Sequence, residues 1–348
     1  MFQDRMNIWN RLSELWARND VPVLELKDQK YAILSDIHLG NGGASDDFAK
    51  NESALLGALD YYYEHGFSLI LLGDMEELWQ FDLHAIKGRY DETAYTKLRK
   101  FSPGRVTRIF GNHDYEWGGF VDPIHGAGTA SIAPEAIKLA DGQGTPRVLL
   151  VHGHQGTIES DKFSWFSRFW VRLFSFIEPL AITAKIYTSP TSTKSQIAQD
   201  YERTLYQWAK ENKVLLICGH SHRAIFASRS YAEKINEQIL QLEAENSRSK
   251  TSATQRRKNF QKIRELNAEL QDEKAKGRMI EATDPGKTPL PCYFNTGCGL
   301  YSDGLTALEI SDDKIRLVKW CSDALPDSAY QKYDEDNLSS IRQKIAAY

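Results

Sequence analysis

Five short apolar runs in this chain each stop at a cluster of histidine, aspartate or asparagine. "YAILS" (31–35) runs into "DIHLG", "FSLILL" (67–72) into "GDMEELW" and "VTRIF" (106–110) into "GNHD". "RVLLV" (147–151) runs into "HGH", and "KVLLIC" (213–218) into "GHSH". Apolar runs of this length, bounded by glycine and polar residues, read as strands buried on both faces. A helical pattern, "ESALLGALDYYYEHG", lies between the first two and stops at Gly66. Strands alternating with helices predict an α/β fold, in which functional groups gather at the carboxyl ends of the strands. Five such ends therefore predict one shared site.

The spacing of the polar groups narrows the chemistry. Asp36 and His38, His152 and His154, and His220 and His222 are each two residues apart. On extended backbone, that spacing puts both side chains of a pair on one face. Asp74 and Asn112 add a carboxylate and an amide oxygen. Such a mixture suits Mn²⁺, Fe or Zn²⁺ better than Ca²⁺, which prefers oxygen alone. A carboxylate such as Asp74 can bridge two ions about 3.5–4 Å apart, the separation used in two-metal hydrolysis. Glu76, Glu77 and His125 read as surface groups or as supports behind the ligands. His154 reads either as a substrate-facing group or as a structural one.

The rest of the chain bounds the setting. Its 348 residues leave room for one large α/β domain or two smaller ones. A formal net charge of −4 argues against nucleic-acid binding over the whole surface, while a local basic patch stays open. The first twenty residues include acids and no signal-type apolar run, and no apolar span is long enough to cross a bilayer. Cys218, Cys292, Cys298 and Cys321 form no CxxC pair, so a reducing cytoplasm is the expected compartment. Ile8, Leu12, Leu15 and Trp16 stand at helical spacing and predict an amphipathic helix over 4–18. The later runs "CYFNTG", "LTALEI" and "KIRLVKW" have no helices between them and are expected to form antiparallel strands.

Two stretches break the strand–helix rhythm. Residues 161–177, "DKFSWFSRFWVRLFSFI", are dense in aromatics, with Lys162, Arg168 and Arg172 as the cations. They read as a helical cap over an apolar phosphoester, as a shallow membrane contact, or as a helix packed on the main domain. Residues 229–280 are polar and helix-forming. Ile235, Ile239 and Leu242 give one apolar stripe, and Phe260, Ile263, Leu266 and Leu270 give another. "NSRSKTSATQ" between them predicts the turn of an α-hairpin. This stretch carries 12 Lys/Arg against 8 Asp/Glu, and residues 248–264 hold seven cations and no acid. Such a tip fits anionic headgroups, nucleic acid or a partner, and equally a solvated excursion.

The ordered motifs "DIHLG", "GDMEE", "GNHD", "VHGH" and "GHSH" resemble those of the calcineurin-like metallophosphoesterases, over roughly residues 30–320 less the hairpin. The resemblance implies a four-layer α/β/β/α sandwich, with a helical cap inserted at about 158–210 and the hairpin at about 229–280. On this reading residues 1–30 are an N-terminal helix and linker, and 31–348 the catalytic domain. The resemblance further implies two divalent metal ions, Mn²⁺ first and Fe or Zn²⁺ next. One would be held by Asp36, His38, Asp74 and His222, the other by Asp74, Asn112, His152 and His220. A metal-bound hydroxide attacks phosphorus in this family, and His113, oriented by Asp114, would stabilise or protonate the leaving oxygen.

"LLGDMEELW" and the aromatic insertion after "VHGHQG" look like the UDP-2,3-diacylglucosamine pyrophosphatases of lipid A synthesis, a branch that carries Arg where His113 stands. That likeness makes Trp165, Arg168, Phe169 and Trp170, with His154, candidate substrate-binding residues. The expected activity is hydrolysis of a small or lipid-linked phosphate ester or pyrophosphate in the cytoplasm, with peripheral contact at the inner face of the membrane. Competing readings are a Ser/Thr protein phosphatase, a nuclease or cyclic-nucleotide phosphodiesterase, and a non-catalytic scaffold, whose mark would be missing ligands. Every ligand position is filled.

Overall fold

A computed structural model describes residues 2–101, 104–114, 124, 133–142, 144–156, 192–248, 252–275, 288–301, 303–322 and 329–348. His125 and the whole 161–177 stretch, with Trp165, Arg168, Phe169 and Trp170, lie outside the described residues.

The strands in chain order begin with β1 (Val23–Glu25), β2 (Tyr31–Leu34), β3 (Ser68–Leu72) and β4 (Val106–Ile109). Next come β5 (Ala136–Ala140), β6 (Pro146–Val151), β7 (Leu215–Cys218), β8 (Ala224–Phe226) and β9 (Arg229–Ser230). The last are β10 (Tyr293–Thr296), β11 (Gly304–Ser311), β12 (Lys314–Cys321) and β13 (Tyr330–Asn337). They form a sheet ordered β1-β5-β6-β7-β10-β8-β9 and a second ordered β13-β12-β11-β2-β3-β4. The helices are α1 (Phe2–Ala17), α2 (Glu52–Glu64), α3 (Leu83–Tyr90) and α4 (Thr96–Lys100), then α5 (Ser192–Asn212), α6 (Tyr231–Asn246), α7 (Ala253–Ala275) and α8 (Leu338–Ala347).

The alternation of side chains along the β2–β4 strands sets the layers. Ile33, Ile70, Leu72 and Ile109 turn inward and pack with Ile137, Leu150 and Ile217 of the other sheet. The same core takes in Ile8, Leu12 and Leu15 of α1 and Leu205 and Trp208 of α5. The intervening residues Ala32, Leu34, Leu69 and Leu71 face the other way, onto Leu55, Leu59 and Tyr62 of α2 and Leu98 of α4. The result is a four-layer α/β/β/α sandwich, as expected from strands apolar on both faces.

Parallel pairing decides where the site falls. β2, β3 and β4 run parallel in one sheet, and β6 and β7 run parallel in the other. All five motif loops therefore leave their strands in register with their neighbours, at carboxyl ends. One expectation needs correcting. "CYFNTG" does not form a purely antiparallel strand: β10 runs parallel to β7 and antiparallel to β8. The strand is buried along its length, so it bridges the two parts of its sheet instead of continuing the β11–β12 meander.

The hairpin stretch forms α6 and α7, whose contact buries Ile235, Ile239 and Leu266, with Leu242, Ile263 and Leu270 packed beside them. Phe260 does not join that stripe and stands 63% exposed. Its neighbour Asn259 takes the inward position, donating to Asn246 Oδ1 at 2.9 Å.

Candidate metal centre

Left-handed backbone recurs at the tips of the loops. Asp36, His38, Asp74, His220 and His222 have φ of 52°, 53°, 53°, 65° and 57°. The two-residue spacing therefore converges for a different reason from the one the extended-strand argument assumed. These loops coil tightly just past the strand ends, and left-handed residues turn the side chains into the gap between the sheets. For residues other than glycine this conformation costs about 1–2 kcal/mol each, and it clusters at functional sites. The surrounding loops supply the constraint. Asp36 N–H donates to Gly73 O at 3.1 Å, His38 N–H to Asp74 O at 3.0 Å and Gly219 N–H to His152 O at 2.7 Å. Gly73, at φ +89°, packs so tightly that a Cβ there would stand 2.5 Å from His152 Nδ1.

Each central carboxylate is held by one oxygen and bare at the other. Asp36 Oδ2 accepts the His220 N–H at 2.9 Å and the Ser35 hydroxyl, while Asp74 Oδ1 accepts the His113 N–H at 2.8 Å. Among the described residues the second oxygens, Asp36 Oδ1 and Asp74 Oδ2, are buried without a hydrogen bond, as are Asn112 Oδ1 and His152 Nε2. The Asp36, Asp74 and His152 atoms face one another. His152 Nε2 lies 3.0 Å from Asp74 Oδ2, and His222 Nε2 lies 3.2 Å from Asp36 Oδ1. His38 Nε2 is 3.9 Å from both carboxylates and meets His222 Nε2 at 3.2 Å. Ligand atoms about 2.1 Å from a common divalent ion sit about 3 Å or a little more from one another, so these separations fit a chelating set.

Two groups of potential ligands result, Asp36–His38–His222 and Asp74–His152–His220, with a third, His38–Glu77–His113, alongside. The structure thus brings together six of the seven residues expected as ligands. Asn112 lies one residue before the N–H that binds Asp74. His154 is buried, its ring centroid 5.4 Å from that of His152.

Ionisation follows from this crowding. Burial alone would raise the Asp36 pKa, but the charges of His152 and His222 outweigh it and bring it down to about 2. Burial would depress His152, yet Asp74 and Asp36 lift it to about 10. His220, buried and repelled by His152, falls to about 3 and stays neutral, the form that ligates.

Of its two readings, Glu77 takes the second, a support behind the ligands. It is no surface residue: it is 6% exposed and accepts from two imidazoles, His38 Nδ1 at 2.7 Å and His113 Nδ1 at 2.8 Å. Burial would raise its pKa, but those two bonds bring it down to about 2. Glu77, and not Asp114, therefore orients His113. Asp114 ties the loops together, taking N–H bonds from Met75 at 2.9 Å and Gly111 at 2.5 Å. Trp79 stacks on the His113 ring, centroids 4.0 Å apart and planes 19° from parallel, and its Nε1–H donates to Asn112 O at 2.8 Å. The adjacent acids in an otherwise apolar loop, "MEELW", were the one available signal. Glu76, fully buried, pairs with Arg108 at 2.5 Å behind the loop.

Residues 29–224 match the calcineurin-like phosphoesterase family, more than half of the chain. The chain belongs to that family. Its members are metal-dependent phosphoric ester hydrolases, and the bare Asp and His atoms of this phosphoesterase are the donor set such a reaction requires. No curated protein matches its sequence.

Proposed function

We propose that this phosphoesterase holds two divalent ions, one by Asp36, His38, Asp74 and His222 and the other by Asp74, Asn112, His152 and His220. The observation that supports this is that Asp36 Oδ1, Asp74 Oδ2 and His152 Nε2 are buried with no hydrogen bond among the described residues, both oxygens lying within 4.0 Å of that nitrogen. In a folded protein such atoms are costly unless something binds them. The mixed N/O set fits Mn²⁺ best, with Fe or Zn²⁺ next. Two bound ions would polarise the phosphoryl group and activate a water for attack. The chain's own part is to fix the geometry. Asp74 spans both sites, Asp36 is anchored to the opposite loop through His220 N–H, and His113, braced by Glu77 and Trp79, stands at the rim to donate a proton to the leaving oxygen. Titrating metal-free protein with Mn²⁺ tests this reading. Two equivalents should bind, and hydrolysis of bis-p-nitrophenyl phosphate should appear with them. Binding of a single ion, or metal-independent turnover, would overturn it.

For the substrate we propose a small or lipid-linked phosphate ester, of the UDP-diacylglucosamine kind, taken up beneath a cap formed by the part of the 158–210 insertion that precedes α5, since Leu205 and Trp208 of α5 belong to the sandwich core. The support is the sequence: Lys162, Arg168 and Arg172 stand among Trp165, Phe169 and Trp170, a mixture of cations and aromatics suited to a phosphate with an apolar tail. Residues 31–348 would act as one catalytic domain carrying the cap and the hairpin. Among the described residues no helix is long and apolar enough to cross a membrane. A cytoplasmic enzyme touching the inner membrane face through its cationic and aromatic segments is the setting this substrate requires.

A further inference from the structure

Beside the centre, a buried ion pair is left open. Glu202 on α5 is 1% exposed, and the side chain of Arg223, the residue after His222, is 14% exposed. Their nearest atoms, Glu202 Oε2 and Arg223 Nη1, lie 3.8 Å apart, beyond hydrogen-bonding reach. Arg223 Nη1 completes no hydrogen bond among the described residues, and Glu202 has the Ser221 side chain, not the guanidinium, as its hydrogen-bonding neighbour. Tyr201, next in the helix, also buries a hydroxyl without a partner, its ring centroid 5.8 Å from that of His220. The relaxed arrangement for Arg and Glu is a closed, two-bond fork. Here charge holds the guanidinium in place while Nη1 stays unspent among the described residues, within one residue of a candidate metal ligand.

We infer that Arg223 binds a non-bridging phosphate oxygen of the substrate, and of the phosphate product, with Glu202 as its positioning residue. The inference rests on the phosphoesterase reading above and adds a phosphate-binding group to it. A planar guanidinium matches two phosphate oxygens at once, which a lysine at this position could not do. Glu202, which meets the Ser221 side chain, restrains the arginine through charge at 3.8 Å without satisfying it. An incoming phosphate then completes the coordination that the pair lacks.

The test uses the full chain loaded with Mn²⁺, with inorganic phosphate as the probe. Calorimetry should show Arg223→Ala weakening phosphate binding about tenfold or more, the loss expected when a hydrogen bond to a charged group goes. On bis-p-nitrophenyl phosphate, KM should rise by a similar factor with kcat little changed and metal content intact. Added guanidinium should restore binding to Arg223→Ala, and Arg223→Lys should recover little. Glu202→Gln should fall between wild type and Arg223→Ala. Unchanged phosphate affinity and KM in Arg223→Ala, with a lower melting temperature, would make the pair purely structural and overturn the inference. The two readings fail separately. Wild-type protein without turnover would count against the phosphoesterase assignment, while the phosphate-affinity comparison would still decide the role of Arg223.

Discussion

At the metal centre, five side chains sit on left-handed backbone and the key oxygens have no hydrogen-bond partner. The α6–α7 hairpin is built in the opposite way. Its first helix opens with a complete capping box, the Ser230 hydroxyl accepting from Glu233 N–H and Glu233 accepting from Ser230 N–H. Its core is three buried residues, and Arg248, Arg257, Lys258, Lys262 and Arg264 project into solvent. Local rules satisfy the hairpin almost completely, whereas the centre violates them and is held in place by the two sheets behind it. A region that breaks its own local preferences needs a reason outside itself, and at the centre that reason is a ligand. Substitutions in the two regions should therefore have opposite consequences: lost chemistry with the fold kept at the centre, and lost local order with the chemistry kept in the hairpin.

Asp74→Asn should produce the largest effect. It retains the size of the side chain and its acceptor for the His113 N–H, but removes the charge that both proposed sites share. Turnover of bis-p-nitrophenyl phosphate should fall by several orders of magnitude, since replacing a shared metal ligand removes charge stabilisation from both sites at once. Metal content measured alongside should fall below two ions per chain. Wild-type activity at full metal loading would break the comparison, because the bare oxygens would then have no chemical purpose.

Glu77→Gln comes next. An amide could still meet one imidazole, but not both as acceptor. His113 would lose its brace, and a positioned proton donor contributes roughly 10²–10⁴-fold. The loss should fall unevenly. An ester with a poorly acidic leaving alcohol should slow by about 10²-fold, and the p-nitrophenyl ester, whose leaving group needs little proton, by much less. Equal loss on both substrates would mean that Glu77 acts through His38 and the metal, leaving His113 out of the chemistry.

How much of this was visible beforehand depends on the range of the interaction. β2, β3, β4, β6 and β7 were legible because a strand apolar on both faces declares itself within five or six residues, and their polar endings identified the site. β13 was not. "YQKYDEDN" is almost wholly polar, and it is a strand because it lies at a sheet edge and pairs with β12 alone. The parallel placement of β10 depends on β7, some seventy residues earlier in the chain. Which of its two readings Glu77 takes was open for the same reason, since its partners lie on two other loops. The left-handed turns at Asp36 and His38 have no local signal of their own, and the two-residue spacing suggested the wrong backbone for the right convergence.

Replacing Trp165, Phe169 or Trp170 with Ala extends the comparison to the proposed cap. Removing one apolar contact of about 1.5–3 kcal/mol should raise KM for an acylated ester roughly tenfold or more and leave a small water-soluble ester nearly unaffected. A uniform loss that tracks melting temperature would assign these residues to the core and remove the lipid-linked substrate.

Ser230→Ala should show the smallest effect and bears most directly on the contrast. The substitution removes the hydroxyl that accepts the Glu233 N–H at 3.2 Å and breaks one side of the capping box. Losing an N-cap costs about 1 kcal/mol. Hydrogen exchange at the first turn of α6 should quicken about fivefold, the factor that such a free-energy change implies for local opening. Turnover and metal content should stay at wild-type values, because the cap serves the hairpin and not the sheets that hold the centre. Ser230 nevertheless belongs to β9, which pairs with β8, and β8 begins directly after Arg223. If activity falls along with the local protection of α6, the hairpin is coupled to the site through β8 and the two regions do not answer to separate constraints.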